Sequence, residues 1–347
     1  MILHIVCLSP FLKQYINLIR QNFEKDRHVF AIVDKKRKGI AFEEDKNIKW
    51  FESKLKFFSL LSLIIRAEKI ILHGAGAKNV ARILSLSKKF IEKTYWVMWG
   101  ADFYFPETQP EWRKSFLSKI KHCITFIEGD FEYAIKNYNM SARMYECVIY
   151  GSSYETETNL DEKEIEKFLT NKNKTIKILA GNSAAKTNNH FEIYQKLSKF
   201  SDENIEIISI LSYGADENYV NETISYGKRI FKDKFKPILN FMNFNDYVEF
   251  LKNMDIGIFA TDRQQALGNI GILLKFGKKV YLKSNAFHYK FFKQKGMEVF
   301  EFEKITEMNF EDFCSLKVDV AINNKRVFEN YFSIENCVNQ WRKIFEN

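Results

Sequence analysis

Proline and glycine are scarce: four and fourteen in 347 residues. Long linkers and disordered tracts are usually richer in both, so the composition argues for packed structure. Cysteine is sparse as well. Cys7, Cys123, Cys147, Cys314 and Cys337 are odd in number, scattered, and never spaced as CxxC. That pattern disfavours a disulfide framework or a cysteine zinc site and suits a reducing, cytoplasmic setting. No apolar run approaches a membrane span of about 20 residues. The longest, 57–65, is broken by serines. "MILHIVCLSP" enters a strand at once and lacks the basic start of a signal peptide. No GxGxxG follows that strand, where "CLSPFLKQY" stands, and no Walker lysine motif occurs. Ordinary dinucleotide and P-loop chemistry are thereby disfavoured. An Asp-x-Asp motif between strands is missing too, so neither a metal nor a cofactor is expected.

What is present is the balance of a globular protein, 46% hydrophobic and 28% charged, in a chain long enough for two domains. The net charge of +9 is unevenly placed. Residues 1–150 hold 25 Lys and Arg against 16 Asp and Glu, and the remainder balances. A plain reading is a solvated basic surface. A functional one is an anionic partner for the first half: a membrane face, a phosphate or nucleic acid, the last the weakest of the three because its motifs are missing, so none is expected.

Strands and helices alternate almost throughout. Strands are predicted at 2–8, 29–33, 69–73, 95–99, 123–127 and 146–150, with helices at 11–23, 54–66, 77–90 and 110–121. A polar stretch over 151–173, with one short helix, marks a domain boundary. The rhythm then restarts with strands at 176–181, 205–213, 256–260, 279–283 and 298–302. Helices are predicted at 189–200, 217–231, 246–254, 268–276 and 287–295, and one long helix over about 325–345. Alternation of this kind means βαβ units and parallel sheets. The expected organisation is an α/β acceptor-side domain over 1–155, a donor domain over 174–324, and a C-terminal helix over 325–347 returning toward the first domain. Two Rossmann-like domains facing a central cleft are the outline of a GT-B glycosyltransferase, although other two-domain proteins share it.

Ligands of such sheets bind beyond the carboxyl ends of the strands. Five polar, glycine-containing clusters stand there: "HGAG" (His73, Gly74, Gly76), "WGADFY" (Trp99, Gly100, Asp102, Tyr104), "GNSAAKTNNH" (Gly181, Asn182, Ser183, Asn188, His190), "SYGADE" (Tyr213, Gly214) and "TDRQQALGN" (Arg263, Gln264, Gln265, Gly268). Plainer readings stand beside these. His73 also reads as a core histidine, Asp102 as a helix cap, Asn182 and Ser183 as a turn, and Arg263 as a surface partner of Asp262. The last cluster has the stronger chemical case. A pyrophosphate suits a helix N-terminus, a bidentate arginine and a glycine that admits close approach, while glutamines suit sugar hydroxyls or a base edge.

"WVMWGADFY", "LAGNSAAKTNNHFEIY" and "DIGIFATDRQQALGNIGILLKFGKKVYL" together resemble the 4-alpha-L-fucosyltransferase family, over about residues 70–290. The resemblance reaches Trp96, Trp99, Gly100, Asp102 and Tyr104, then Gly181, Asn182, Ser183, Asn188 and His190, then Arg263, Gln264, Gln265 and Gly268. It implies a GT-B fold, a dTDP-4-acetamido-4,6-dideoxygalactose donor and a polyprenyl-diphosphate-linked glycan acceptor at the cytoplasmic side of the bacterial inner membrane. Enterobacterial common antigen synthesis is the implied setting. An O-antigen, capsule or lipooligosaccharide unit remains open, as do a nucleotide-sugar epimerase and a non-catalytic glycan binder.

The expected sites follow. Asp102 is the candidate general base and His73 the second candidate. Gly181, Asn182, Ser183, Asn188, Tyr213, Arg263, Gln264, Gln265 and Gly268 are expected at the donor. Gly74, Trp99, Gly100 and Tyr104 are expected at the acceptor. Peripheral docking on an anionic membrane is expected through "SKLKFFSLLSLIIR", whose leucines and isoleucines could also simply pack on the sheet, or through "EWRKSFLSKIKH", whose charges and aromatics lie close together.

Overall fold

The structure, a computed structural model, describes residues 1–9, 12–34, 45–51, 56–149, 158–171 and 174–346. Tyr150 of the strand predicted at 146–150, Lys54 of the first basic segment and much of the predicted linker lie outside these residues. The chain divides into two compact units, Met1–Glu155 with Phe332–Asn347, and Thr156–Tyr331.

The first unit holds a seven-stranded parallel sheet. Its strands are β1 (Ile2–Val6), β2 (His28–Ile32), β3 (Ile48–Trp50), β4 (Lys69–His73), β5 (Thr94–Val97), β6 (His122–Thr125) and β7 (Arg143–Glu146), in spatial order 3-2-1-4-5-6-7. The second holds six parallel strands: β8 (Ile176–Ala180), β9 (Ile205–Ile210), β10 (Phe235–Ile238), β11 (Ile256–Phe259), β12 (Lys279–Leu282) and β13 (Phe300–Glu301), in order 10-9-8-11-12-13. Helices cover both faces of such sheets, so central strands are buried on both sides. Every residue of β1, β2, β4, β5, β11 and β12 is buried, which is why these strands are apolar but for His4, His28, Lys69, His73, Thr94 and Lys279.

The edges were harder to read. β3 is three residues long with Lys49 exposed, too short for a period. β10 contains Pro237, which argues against a central strand but is tolerated at a sheet edge. The helix Glu128–Tyr138 escaped because its buried stripe is Asp130, Ala134 and Tyr138, with a carboxylate where an apolar residue is expected. The predicted helix over 77–90 is two short helices, Lys78–Leu84 and Lys88–Glu92. The last strand of the first unit is centred earlier than expected, at Arg143–Glu146.

The C-terminal helical stretch runs in two pieces, Val318–Tyr331 and Ile334–Glu346. The first belongs to the second unit; the other belongs to the first. There Cys337, Val338, Trp341, Ile344 and Phe345 join the core built by Tyr15, Ile16, Phe30 and Ile71. Side chains tie this helix to the chain after β7. Gln340 Oε1 accepts from the Val148 amide at 2.7 Å, and Trp341 Nε1 donates to the Ile149 carbonyl at 3.3 Å.

Candidate active site

In both sheets the strand order reverses direction once, between β1 and β4 and between β8 and β11. Loops leaving the two strands at such a point diverge, and the crevice between them is where open α/β sheets bind ligands.

In the second unit, Gly181, Asn182 and Ser183 follow β8, and the loop holding Arg263, Gln264 and Gln265 follows β11. Asn188 is fully buried and organises the first loop. Its Oδ1 accepts from the Asn182 amide at 3.1 Å, while its Nδ2 donates to the Ser183 carbonyl at 2.8 Å and Ser183 Oγ at 3.1 Å. Gly181 has φ +74°, and a Cβ there would lie 2.8 Å from His190 Nε2 and 3.1 Å from Asn188 Oδ1. Both the left-handed backbone and the contact demand glycine. The loops after β8 and β11 are laced together. Thr187 Oγ1 donates to Gln265 Oε1 at 2.7 Å, Gln265 Nε2 donates to Asn182 Oδ1 at 3.3 Å, and Asn189 Nδ2 donates to the Ala260 carbonyl at 2.8 Å. Tyr213, after β9, donates from its hydroxyl to the Asn182 carbonyl at 3.0 Å.

Seven of the nine expected donor residues therefore lie on or between the loops at this switch point, Tyr213 reaches them from β9, and Gly268 stands in the first turn of the helix Leu267–Lys275. Arg263 is half-buried, and its Nη1 donates to the Gln264 carbonyl at 3.4 Å. Asp262 accepts from Lys283 Nζ at 2.8 Å, so its charge is met from β12's side of the loop. At Gly268 a Cβ would meet open space, and the structure imposes no steric need for glycine there. Two residues escaped the reading. Thr187 gave no signal beyond lying in a polar run. Tyr247, on the helix Phe244–Lys252, has its hydroxyl held by Asn269 and raised in pKa, chiefly by burial.

In the first unit the carboxyl ends of β4 and β5 carry "HGAG" and "WGADFY". Asp102 lies within the short helix Gly100–Phe103 and does not cap it. Its Oδ2 accepts from the Ala75 amide at 2.7 Å and from Trp96 Nε1 at 3.4 Å, bridging the loop after β4 to the strand before it. Gly74 has φ +78°, and a Cβ there would stand 3.3 Å from the same oxygen. Burial pushes the Asp102 carboxyl up to about 6, against the lowering effect of the Ala75 amide and of the nearby Arg113. Tyr104 donates from its hydroxyl to Asp130 Oδ1 at 2.6 Å, and burial pushes Asp130 up to about 7. Asp130 and Arg113 were missed as members of this cluster.

His73 behaves as the plainer reading has it. Its ring is 4.5 Å from Tyr15 and 6.4 Å from Trp341, inside the core, and burial pushes its pKa down to about 3. A neutral, buried imidazole of that basicity is poorly matched to proton abstraction near pH 7.

The basic segments also differ from expectation. In "EWRKSFLSKIKH" the apolar residues Phe116, Leu117 and Ile120 are buried, Trp112 is half-buried, and Arg113 is engaged beside the Asp102 loop. In the helix Lys56–Arg66, Leu60, Leu63 and Ile64 are buried, whereas Phe58 is 76% exposed and Ile65 59% exposed. Among the described residues no helix is long and apolar enough to cross a membrane.

Two parallel Rossmann-type sheets, each with its polar loops gathered at the carboxyl ends beside a switch point, make up the GT-B fold. Solved structures agree with that class. A glycosyltransferase from Rickettsia africae is similar over 99% of this chain and 97% of its own, with a TM-score of 0.67 at 13% identity. HepE from Anabaena, in complex with UDP and glucose, is similar over 99% of both chains, with a TM-score of 0.67 at 10% identity. A UDP-forming trehalose-phosphate synthase from Burkholderia xenovorans is similar over 99% and 97%, with a TM-score of 0.66 at 10% identity. The chain belongs to the 4-alpha-L-fucosyltransferase family, glycosyl transferase group 56, whose profile matches residues 8–347.

Proposed function

We propose that this glycosyltransferase moves a 4-acetamido-4,6-dideoxyhexose from a dTDP-sugar to a polyprenyl-diphosphate-linked glycan in bacterial surface polysaccharide synthesis. The observation that carries the donor half is the single hydrogen-bonded network joining the loops after β8 and β11, with Arg263 and the start of the helix Leu267–Lys275 in the same loop. A nucleoside diphosphate brings negative charge that a guanidinium and helix amides stabilise, most strongly on the leaving group. Asn182 and Gln265 present amides to sugar hydroxyls or an N-acetyl group. On the acceptor side Asp102 takes the proton of the attacking hydroxyl. Burial has brought its pKa near the operating range, as a general base requires. Gly74, Trp99, Gly100 and Tyr104 shape the surroundings of that carboxylate. Docking on an anionic cytoplasmic membrane face is proposed through Phe58 and Ile65, flanked by Lys56 and Arg66.

A thermal-shift screen of dTDP, UDP and GDP and their sugars tests the donor reading. dTDP-4-acetamido-4,6-dideoxygalactose is expected to raise Tm, and Arg263→Lys to abolish the shift while leaving the unliganded Tm unchanged. A response to UDP- or GDP-sugars alone moves the enzyme to another surface glycan. No response to any nucleotide removes the donor site from this loop pair.

A further inference from the structure

Arg113 carries basic charge in a segment that sequence alone would assign to a membrane contact. The structure turns it inward. It stands on the helix Glu111–Leu117, half-buried, with its guanidinium over the ring of Trp112 at 5.1 Å. Its Nε donates to the Ala75 carbonyl at 3.2 Å. The amide of that same residue donates to Asp102 Oδ2 at 2.7 Å. Its Nη1 donates to Gln109 Oε1 at 2.5 Å, and Gln109 Nε2 in turn donates to the Tyr104 carbonyl at 2.8 Å and the Ala101 carbonyl at 3.3 Å. One guanidinium thus ties the loop after β4 to both ends of the short helix that bears Asp102. Ala75 is the shared link: Arg113 polarises its carbonyl, and its amide meets the carboxylate.

We propose that Arg113 is a positioning residue for the transfer reaction, fixing the two loops that hold Asp102 and keeping its carboxylate charged in a buried setting. The proposal rests on the reading of Asp102 as the general base. Desolvation alone would favour the protonated acid, which cannot accept a proton. An opposite charge nearby works against that, and a planar guanidinium does so while reaching the Ala75 carbonyl and Gln109 from two fixed, separate nitrogens, a spread that a single ammonium nitrogen does not reproduce. Among the described residues, Cys7, after β1, and Tyr138, on the helix Glu128–Tyr138, also feel the Asp102 charge, and neither is cationic. Arg113 supplies positive charge beside the carboxylate.

The test follows the Asp102 carboxyl directly, by carbon NMR of the full chain labelled at aspartate Cγ, with Asp102→Asn identifying the signal. In Arg113→Gln the titration midpoint is expected to rise by about one pH unit, the lower end of the effect of an adjacent opposite charge. Arg113→Lys is expected to leave the midpoint near the wild-type value, yet to lower kcat for transfer from dTDP-4-acetamido-4,6-dideoxygalactose, because the charge survives and the two-point tie from Nε and Nη1 does not. A midpoint unmoved in Arg113→Gln overturns the proposal. The base reading fails separately, if Asp102→Asn turns over at the wild-type rate. Tm of each variant, and its shift with dTDP bound to the second unit, checks that the loss is not unfolding.

Discussion

Single residues in this enzyme are expensive where they are charged and buried, and Asp130 is the clearest case. It is 3% exposed, and its partner is the Tyr104 hydroxyl. Its pKa is raised from 3.8 to about 7, chiefly by burial. A carboxyl whose folded pKa lies above the unfolded one favours folding below the unfolded value, and that contribution is lost as pH rises through the folded value. Asp130 should therefore cost stability between about pH 4 and pH 7, at up to about 1.4 kcal/mol per pH unit. Asparagine keeps an acceptor for Tyr104 and never ionises. Urea midpoints of wild type and Asp130→Asn are expected to diverge in favour of asparagine between pH 5 and pH 8. The other titrating groups, His4, His28, His73 and Asp102 among them, are common to both proteins and cancel. A pH-independent difference would mean that Asp130 stays charged at little cost.

At the scale of elements, the helix Lys56–Arg66 is divided between two tasks. Leu60, Leu63 and Ile64 are buried against the first unit, each contributing about 1.5–3 kcal/mol by removal from water. Phe58 and Ile65, seven residues apart and so on one face, are left to solvent with exposed Lys56 and Arg66 at the two ends. Replacing both Phe58 and Ile65 with glutamate should release the protein from vesicles containing anionic lipid without lowering Tm. Co-sedimentation at low and high salt decides it: wild-type protein in the supernatant at low salt ends the docking proposal. This helix also shows what sequence could and could not tell. Its apolar richness was plain, but which face met the sheet was not, because both faces are apolar. The central strands were legible as apolar runs since parallel sheets bury both faces. The edges β3, β7, β10 and β13 were blurred or missed, since an edge strand needs only a few half-buried residues. Residues of the candidate site were legible where loops follow buried strands, as with Asp102, Asn182 and Gln265. They were illegible where a helix delivers them from afar, as with Arg113, Asp130 and Tyr247. Nothing in local spacing marks a residue whose partner is 38 positions away, as Ala75 is from Arg113.

For the whole molecule, the decisive feature is the return of the helix Ile334–Glu346 to the first unit. Trp341 is fully buried there, and its loss to alanine should cost about 3–5 kcal/mol. Calorimetry of Trp341→Ala is expected to lower the melting of the first unit and leave that of the second in place. A single transition moving as one would mean that the units unfold together. The same feature sets an order on synthesis. The core around Tyr15 and Phe30 leaves the ribosome early but lacks its covering helix until residue 346 has been added. At ordinary elongation rates that wait is on the order of ten seconds or more. Through it the nascent first half carries an uncovered apolar face, a natural place for a chaperone to hold. A chain whose translation stops soon after residue 331 would own a complete second unit and a first unit left without its closing helix.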